Sequence, residues 1–385
     1  MRLSRVQLSN YRNFHRLDLS LGPGASVFIG GNAQGKTNLL ESVYLLATMK
    51  ELRAESEAQV IRREAAGDPI PAARVVGEGE TAAGPLKVEV AVIGREGSNG
   101  LIAGKTVRIN GVPKRLSDAV GRLTAVLFTA ADIDLISGAP SARRRYIDIT
   151  LSQVDGRYVV ARSRLERVIA QRNHLLKRMR EGLARAEELS FWDAELARDG
   201  GYVFAVRSAA LSELASLAAE AHASLAPAEE LRVEYRPRLD GETAESLRDA
   251  EGAAAAYAAA LRRGVSRDVA AGMTLQGPHR DDIAFSLDGE PSAGFASRAQ
   301  QRTIALALRL AEARLLDDIL SEMDAARGRS VIEAVSAYDQ LLITATDLER
   351  FPDGFLNRAA VFRVTAGAVS VAASQPIASR GTAES

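Results

Sequence analysis

Three short segments have residue types and spacings that could do chemistry. The first is Gly30-Gly31-Asn32-Ala33-Gln34-Gly35-Lys36-Thr37, which fits G-x-x-x-x-G-K-T and follows the short apolar run Ala25–Ile29. Its glycines let successive backbone amides converge on phosphate oxygens, and the helix that follows adds the positive end of its dipole. Lys36 would reach the β- and γ-phosphates, and the Thr37 hydroxyl would sit on Mg²⁺, so the segment reads as an ATP-binding loop. The second segment is Leu315-Leu316-Asp317-Asp318-Ile319-Leu320. A carboxylate at a strand end can hold Mg²⁺ through water, and a second acid can orient the attacking water. The same two acids would also suit a charge pair at a helix end. The third is Ser297, which precedes Arg298-Ala299-Gln300-Gln301-Arg302-Thr303 and a run of Ala, Leu and Ile. Serine is a good N-cap, and a capped helix N-terminus can also hold a phosphate supplied by another subunit.

The elements that must position these groups follow from periodicity. Leu3–Leu8, Leu17–Leu21 and Ala25–Ile29 read as strands, and 37–46 as a helix. Strands follow at 86–93 and 106–109, the latter ending at the turn pair Asn110-Gly111. From Ser141 to Val265 Ala, Leu, Arg and Glu dominate, with prolines only at Pro227 and Pro237, which predicts long helices. Mixed structure resumes at Thr274, with a turn at Asp288-Gly289, a helix from Arg298 and a late strand at 340–344. The expected organisation is an α/β head split into 1–140 and 271–373, an inserted helical arm at 141–270, and a disordered tail at 374–385.

Composition narrows the classes. The 385 residues carry 49 Lys plus Arg and 49 Asp plus Glu, so any polyanion must be met by a local patch and not by overall charge. The absence of cysteine rules out disulfides and thiolate metal sites, and the four histidines are scattered. No run of about 18 apolar residues and no leader-like N-terminus is present, which points to a cytoplasmic protein without a membrane partner. A basic stretch begins at Arg143-Arg144-Arg145 and continues through Arg157, Arg162, Arg164, Arg167, Arg172, Lys177, Arg178 and Arg180. Charges of this kind gathered on one face would contact a nucleic-acid backbone, although the three consecutive arginines cannot share one helix face. Aromatics are sparse there, so base-specific readout is not expected. Trp192 and His279 read as packing residues.

The chain resembles the RecF family of SMC-like ABC ATPases over nearly its whole length. The resemblance rests on Leu8-Ser9-Asn10-Tyr11-Arg12-Asn13-Phe14, on the Gly30–Thr37 loop with Asn38-Leu39-Leu40-Glu41, and on Arg143-Arg144-Arg145-Tyr146-Ile147-Asp148. It continues through Gln276-Gly277-Pro278-His279-Arg280-Asp281-Asp282, the Ser297 segment, Asp317 to Asp324, and Ile343-Thr344-Ala345-Thr346-Asp347. It implies an ABC-type ATPase head with an inserted helical arm. It also implies a homodimer that closes on ATP, binding to gapped, single- and double-stranded DNA, and work with RecO and RecR in loading recombinase. Carried over by position, Gly30 to Asn38 hold ATP, with Lys36 also catalytic, and Thr37 and Asp317 hold Mg²⁺. Asp318 takes the place of the hydrolytic acid, and Ser297, Arg298 and Gln300 face the partner's ATP. Thr346 takes the switch position, and Arg12 and Asn13 lie beside the nucleotide. A transporter motor or a nuclease-bearing head fits less well, since neither a membrane partner nor a spare acid-rich module is evident.

The chain departs from this pattern in two places. Ala299 stands where the family has glycine. The family also places a loop and a buried strand between the Ser297 helix and the acid pair, but here Ala307–Leu316 runs into Asp317 with no turn residue. A strand of about five residues and a connection of about four would leave that helix only two to three turns. Either the helix is short, or the strand is lost and Asp317 is displaced. The expectation is retained nucleotide binding with weakened or absent hydrolysis.

Overall fold

The structure, a computed structural model, describes residues 2–51, 56–81, 83–97, 100–320, 340–349, 351 and 353–373. The tail expected at 374–385 lies outside them. The chain divides into two compact units, Met1–Leu127 with Arg329–Ser385, and Phe128–Gly328. The second unit therefore carries the Ser297 segment, which the sequence boundaries had assigned to the head.

The first unit opens with β1 (Arg2–Tyr11) and β2 (Phe14–Ser20), joined by a tight turn in which Arg12 takes φ 55°. In β1, Leu3, Val6 and Leu8 are all buried although Leu3 and Val6 are three apart; a register shift between Leu3 and Arg5 puts them on one face. β3 (Gly24–Ile29) leads through the glycine-rich loop into α1 (Lys36–Thr48). β4 (Ala72–Thr81), β5 (Gly84–Gly97), β6 (Gly100–Ile109) and β7 (Val112–Lys114) complete an antiparallel sheet of order β2-β1-β4-β5-β6-β7, followed by the short α2 (Leu116–Ala119). Leu39, Leu45 and Leu46 of α1 share one core with Val75, Val88 and Val90 of this sheet.

The second unit is mostly helical: α3 (Ile133–Ser137), α4 (Pro140–Ser152), α5 (Gly156–Arg180), α6 (Ser190–Leu225) and α7 (Ala250–Ala271). β8 (Leu231–Arg236), β9 (Asp282–Leu287) and β10 (Glu290–Pro291) form a small sheet of order β10-β9-β8, and α8 (Ser292–Phe295) and α9 (Arg298–Leu320) follow. By length and composition residues 186–225 could cross a membrane, with an 18-residue window of mean hydropathy 1.2, but half of that window is buried. Trp192 packs in the arm against the cluster of Leu175, Leu176 and Leu189, as expected.

The arm is locked by buried charge. Arg207 of α6 donates to Asp148 at 2.7 Å, Asp281 at 2.8 Å, the Pro278 carbonyl at 2.6 Å and the Tyr158 hydroxyl at 3.0 Å. Burial works to raise the Asp148 carboxyl, but Arg207 and Arg162 hold it below the usual range. Arg172 is wholly buried and bonds Asp193, Asp268 and Thr274. The Gln276–Asp282 run is thus an internal knot. Arg143 donates to Asp282 and Arg144 to the Asp281 carbonyl, so the start of the basic stretch is turned inward.

The chain then returns to the first unit with β11 (Gln340–Ala345), β12 (Ala360–Thr365) and β13 (Ala368–Ala373). These make a second sheet of order β11-β3-β12-β13, in which β11 and β12 run parallel to β3. Phe28 of β3 faces the larger core, while Val27 and Ile29 face a smaller one with Phe355, Ala359 and Val361. A strand covered on both faces explains the unbroken apolar run before the loop. β11 has the same interior composition, yet among the described residues it lies at the sheet's border with all six residues half-buried.

Candidate nucleotide-binding site

At the end of β3 the chain turns through Gly30 at φ 154°, and a Cβ there would stand 2.3 Å from the Val364 carbonyl oxygen of β12. Only glycine allows the loop to lie this close to the neighbouring strand. Ala33 adopts φ 61°, a left-handed conformation costly for a residue with a side chain and typical of ligand-cradling loops. Gly35, at φ 110°, is the N-cap of α1, and no side chain caps this helix. Its first amides therefore remain available to an anion. The Lys36 ammonium bonds the Gly31 carbonyl at 2.7 Å and the Gly30 carbonyl, and partial burial lowers its pKa. Asn32 to Asn38, with Thr344, Ala345 and Thr346, line an open cleft of about 400 Å³. That is within the size range of small-molecule sites. Thr346 lines the cleft opposite the loop, and its hydroxyl donates to Asp347 at 2.8 Å.

Asn13 and Arg12 are not among the residues that line this cleft, though Asn13 bonds two that do. The Asn13 amide lies behind the loop, donating to the Gln34 carbonyl at 2.9 Å and accepting from the Asn38 amide at 2.8 Å. A Cβ on Gly35 would come within 2.5 Å of Asn13 Nδ2, so the two positions fit only as a pair. The turn joining β12 to β13 grips the same residue: the Gly367 amide donates to the Gln34 carbonyl at 3.1 Å, and the Ala366 amide to Gln34 Oε1 at 2.7 Å. Arg12 reaches the buried Glu41 at 3.8 Å and donates to the Gln59 carbonyl at 3.2 Å. Sequence reasoning did not single out Ala366-Gly367. The signal was a turn-type pair between two apolar runs.

In the second unit, Ser297 caps α9. Its Oγ accepts from the Gln300 amide N–H at 3.2 Å, while Gln300 Oε1 accepts from the Ser297 N–H at 2.8 Å, forming a reciprocal capping box. Ser297, Arg298 and Ala299 are exposed. α9 then continues without a break to Leu320, so Asp317 and Asp318 lie in its last turn and not at the end of a strand. Ile304, Leu308, Ala311 and Leu315 are buried at helical spacing, which stabilises helix where a strand was expected. Among the described residues no carboxylate lines the cleft and no cluster of three metal-ligating side chains occurs.

The basic stretch sorts into two sets. Arg143, Arg144, Arg162 and Arg172 are committed to internal partners. On α5, Arg157, Val160, Arg164, Arg167, Gln171, His174 and Arg178 are all exposed at alternating spacings of three and four, forming one face roughly 32 Å long. Arg157, Arg164, Arg167, Lys177, Arg178 and Arg180 have no carboxylate partner among the described residues, whereas Arg198 of α6 and Arg267 of α7 do.

The family described as RecF/RecN/SMC N terminal domain matches residues 2–368. The chain is 40% identical to the DNA replication and repair protein RecF of Herpetosiphon aurantiacus, covering 96% of this chain and 99% of that protein. It is 35% identical to the protein of the same name from Geobacillus kaustophilus, with the same coverage. Its fold is similar to that of the recombination mediator protein RecF with ATP in the RecFOR pathway, with a TM-score of 0.81, 25% identity, and coverage of 96% of this chain and 97% of that one. With a family model matched over nearly its whole length and relatives of this identity and coverage, the chain belongs to the RecF family of SMC-like ABC ATPases.

Proposed function

We propose that this chain is an ATP-controlled DNA-binding protein of replication and recombinational repair. In this reading it closes into a dimer on ATP and grips gapped, single- or double-stranded DNA, with RecO and RecR as partners in the cytoplasm. The observation that carries the reading is the cleft formed by the Gly30–Thr37 loop with Thr344 to Thr346. ATP phosphates would take the amides of the loop and of α1, with Lys36 turning from its carbonyl partners to the phosphates. The Thr37 hydroxyl fits Mg²⁺, whose other ligands would be phosphate oxygens and water; the ion would supply neutralising charge. Ser297 with Arg298 and Gln300 would meet the nucleotide of a second copy. Duplex backbone would lie along the unpaired cations of α5, each neutralised phosphate steepening the salt dependence.

A second observation favours binding without efficient turnover. Asp317 and Asp318 lie in a continuous helix and not at the end of a strand. ATP would then act as a closing ligand, with release governed by nucleotide dissociation. The test is retention on gapped duplex with and without ATP, with Lys36→Ala as control. ATP-dependent retention that Lys36→Ala abolishes, and a salt slope that falls by about 2 in Arg164→Glu/Arg167→Glu, are expected. Binding indifferent to nucleotide, salt and these reversals would sink the reading. Phosphate release abolished by Asp318→Ala from a rate matching intact relatives would overturn the second observation's reading.

A further inference from the structure

We propose that Glu229 is a positioning residue that turns Ser297 into a hydrogen-bond donor for the terminal phosphate of a nucleotide carried by a second copy of the chain. The inference rests on the composite-site reading above and deepens it.

Gln300 has two tasks at the start of α9. Its Oε1 accepts from the Ser297 N–H at 2.8 Å, and its Nε2 donates to Glu229 Oε1 at 2.9 Å. A glutamine amide rotated by half a turn would set its NH₂ against the Ser297 N–H and break the capping box. A carboxylate on the far side removes that choice, because it accepts only and so fixes the amide with its oxygen toward Ser297. Glu229 is itself held: its second oxygen accepts from Nε2 of His222 at 3.1 Å, in the last turn of α6. His222 is wholly buried, and among the described residues its Nδ1 has no hydrogen-bond partner, which leaves Glu229 as the ring's polar contact there.

The consequence reaches the serine hydroxyl. With the Gln300 N–H bonded to a lone pair of Ser297 Oγ, the hydroxyl proton is left free for a ligand. Ser297 is exposed, so that proton can be donated to an anion beside the amides of the first turn. An anion approaching this end of α9 meets an available O–H on a fixed residue together with the helix dipole. Glu229 acts through Gln300 and does not face the anion. Neither Glu229 nor His222 belongs to a recognisable motif, and they lie 71 and 78 residues before Gln300 and could not be paired with it from spacing.

The experiment measures ATP-dependent dimerisation of the full chain by analytical ultracentrifugation. ATP affinity is measured in parallel on dilute, monomeric protein. Glu229→Ala is expected to raise the concentration for half-dimerisation about tenfold, the scale of one lost cap or charged hydrogen bond. It is expected to leave monomer ATP affinity within twofold, since the Gly30–Thr37 loop belongs to the other unit. Glu229→Gln keeps a carbonyl to accept from Gln300 and should recover most of the loss. Glu229→Ala combined with Gln300→Ala should be no worse than Gln300→Ala alone. If Ser297→Ala leaves ATP-dependent dimerisation unchanged, the composite-site reading falls and this proposal with it. If Ser297→Ala weakens dimerisation but Glu229→Ala does not, or if the two losses at Glu229 and Gln300 add in full, only the role of Glu229 is overturned.

Discussion

Asn13→Ala should weaken ATP binding without unfolding the head, although Asn13 is outside the cleft. The substitution removes the bond to the Gln34 carbonyl at 2.9 Å and the bond from Asn38 at 2.8 Å. Gln34 keeps its second donor, the Gly367 amide at 3.1 Å, and the Asn38 side chain borders the open cleft, where water can replace the lost partner. Neither group is stranded, so the loss is set by net hydrogen-bond strength, about 1–2 kcal/mol for the pair. If that loss falls on the phosphate-ready shape of the loop, the Kd for ATP rises roughly 5- to 30-fold. Truncation also opens the space behind Gly35 that Asn13 fills, which lets the loop relax backward. Asn13→Asp keeps the bond from Asn38, loses the donor to Gln34 and places a negative charge behind the phosphates, so it should cost more. Equilibrium ATP titration with a parallel thermal melt tests this. A Kd within twofold of the parent, or a lowered melting temperature with unchanged affinity, would refute the claim that Asn13 shapes the loop.

Three further outcomes follow from contacts in the two units. Gly30→Ala drives a methyl into the Val364 backbone oxygen, which cannot rotate aside, and should weaken ATP binding by about 100-fold or more in the same titration. Arg207→Ala leaves Asp148 and Asp281 enclosed without their shared cation and should cost about 3–5 kcal/mol in denaturant unfolding, with Arg207→Met no better than Arg207→Ala if packing is irrelevant. His279 is pushed down to about 4, chiefly by burial, from an ordinary 6.5. The unfolded chain then binds the extra proton between these values, so stability falls as pH drops from 6.5 to 4, by at most about 3 kcal/mol. His279→Asn should flatten thermal melts across that window.

Much of the head was legible because local pattern and tertiary role agree. The apolar run Ala25–Ile29, the glycine loop and the helix after it each have one reading. What was not legible depended on partners far along the chain. The run Arg143-Arg144-Arg145 looks like a surface for polyanions, but Asp282 and the Asp281 carbonyl, more than 130 residues later, claim the first two. The resemblance places Asn13 beside the nucleotide, but its bonds to Gln34 and Asn38 could not be read from spacing. The segment before Asp317 shows the opposite conflict: its own spacing is helical at Ile304, Leu308, Ala311 and Leu315, and only the family pattern asked for a strand.

The position of β11 has a consequence for how the chain is made. A strand of interior composition that borders its sheet among the described residues is a template for another extended segment, and Gln340–Ala345 contains no lysine or proline to discourage one. Two carboxylates in the sequence, Asp339 and Asp347, bracket it as gatekeepers. β3 is synthesised some three hundred residues earlier and must hold its place until β11 arrives, while the β11 of a neighbouring nascent chain competes for the same edge. Docking of β11 onto β3 within one chain therefore competes with pairing between neighbouring chains, and its success decides whether Thr344 to Thr346 reach the nucleotide loop.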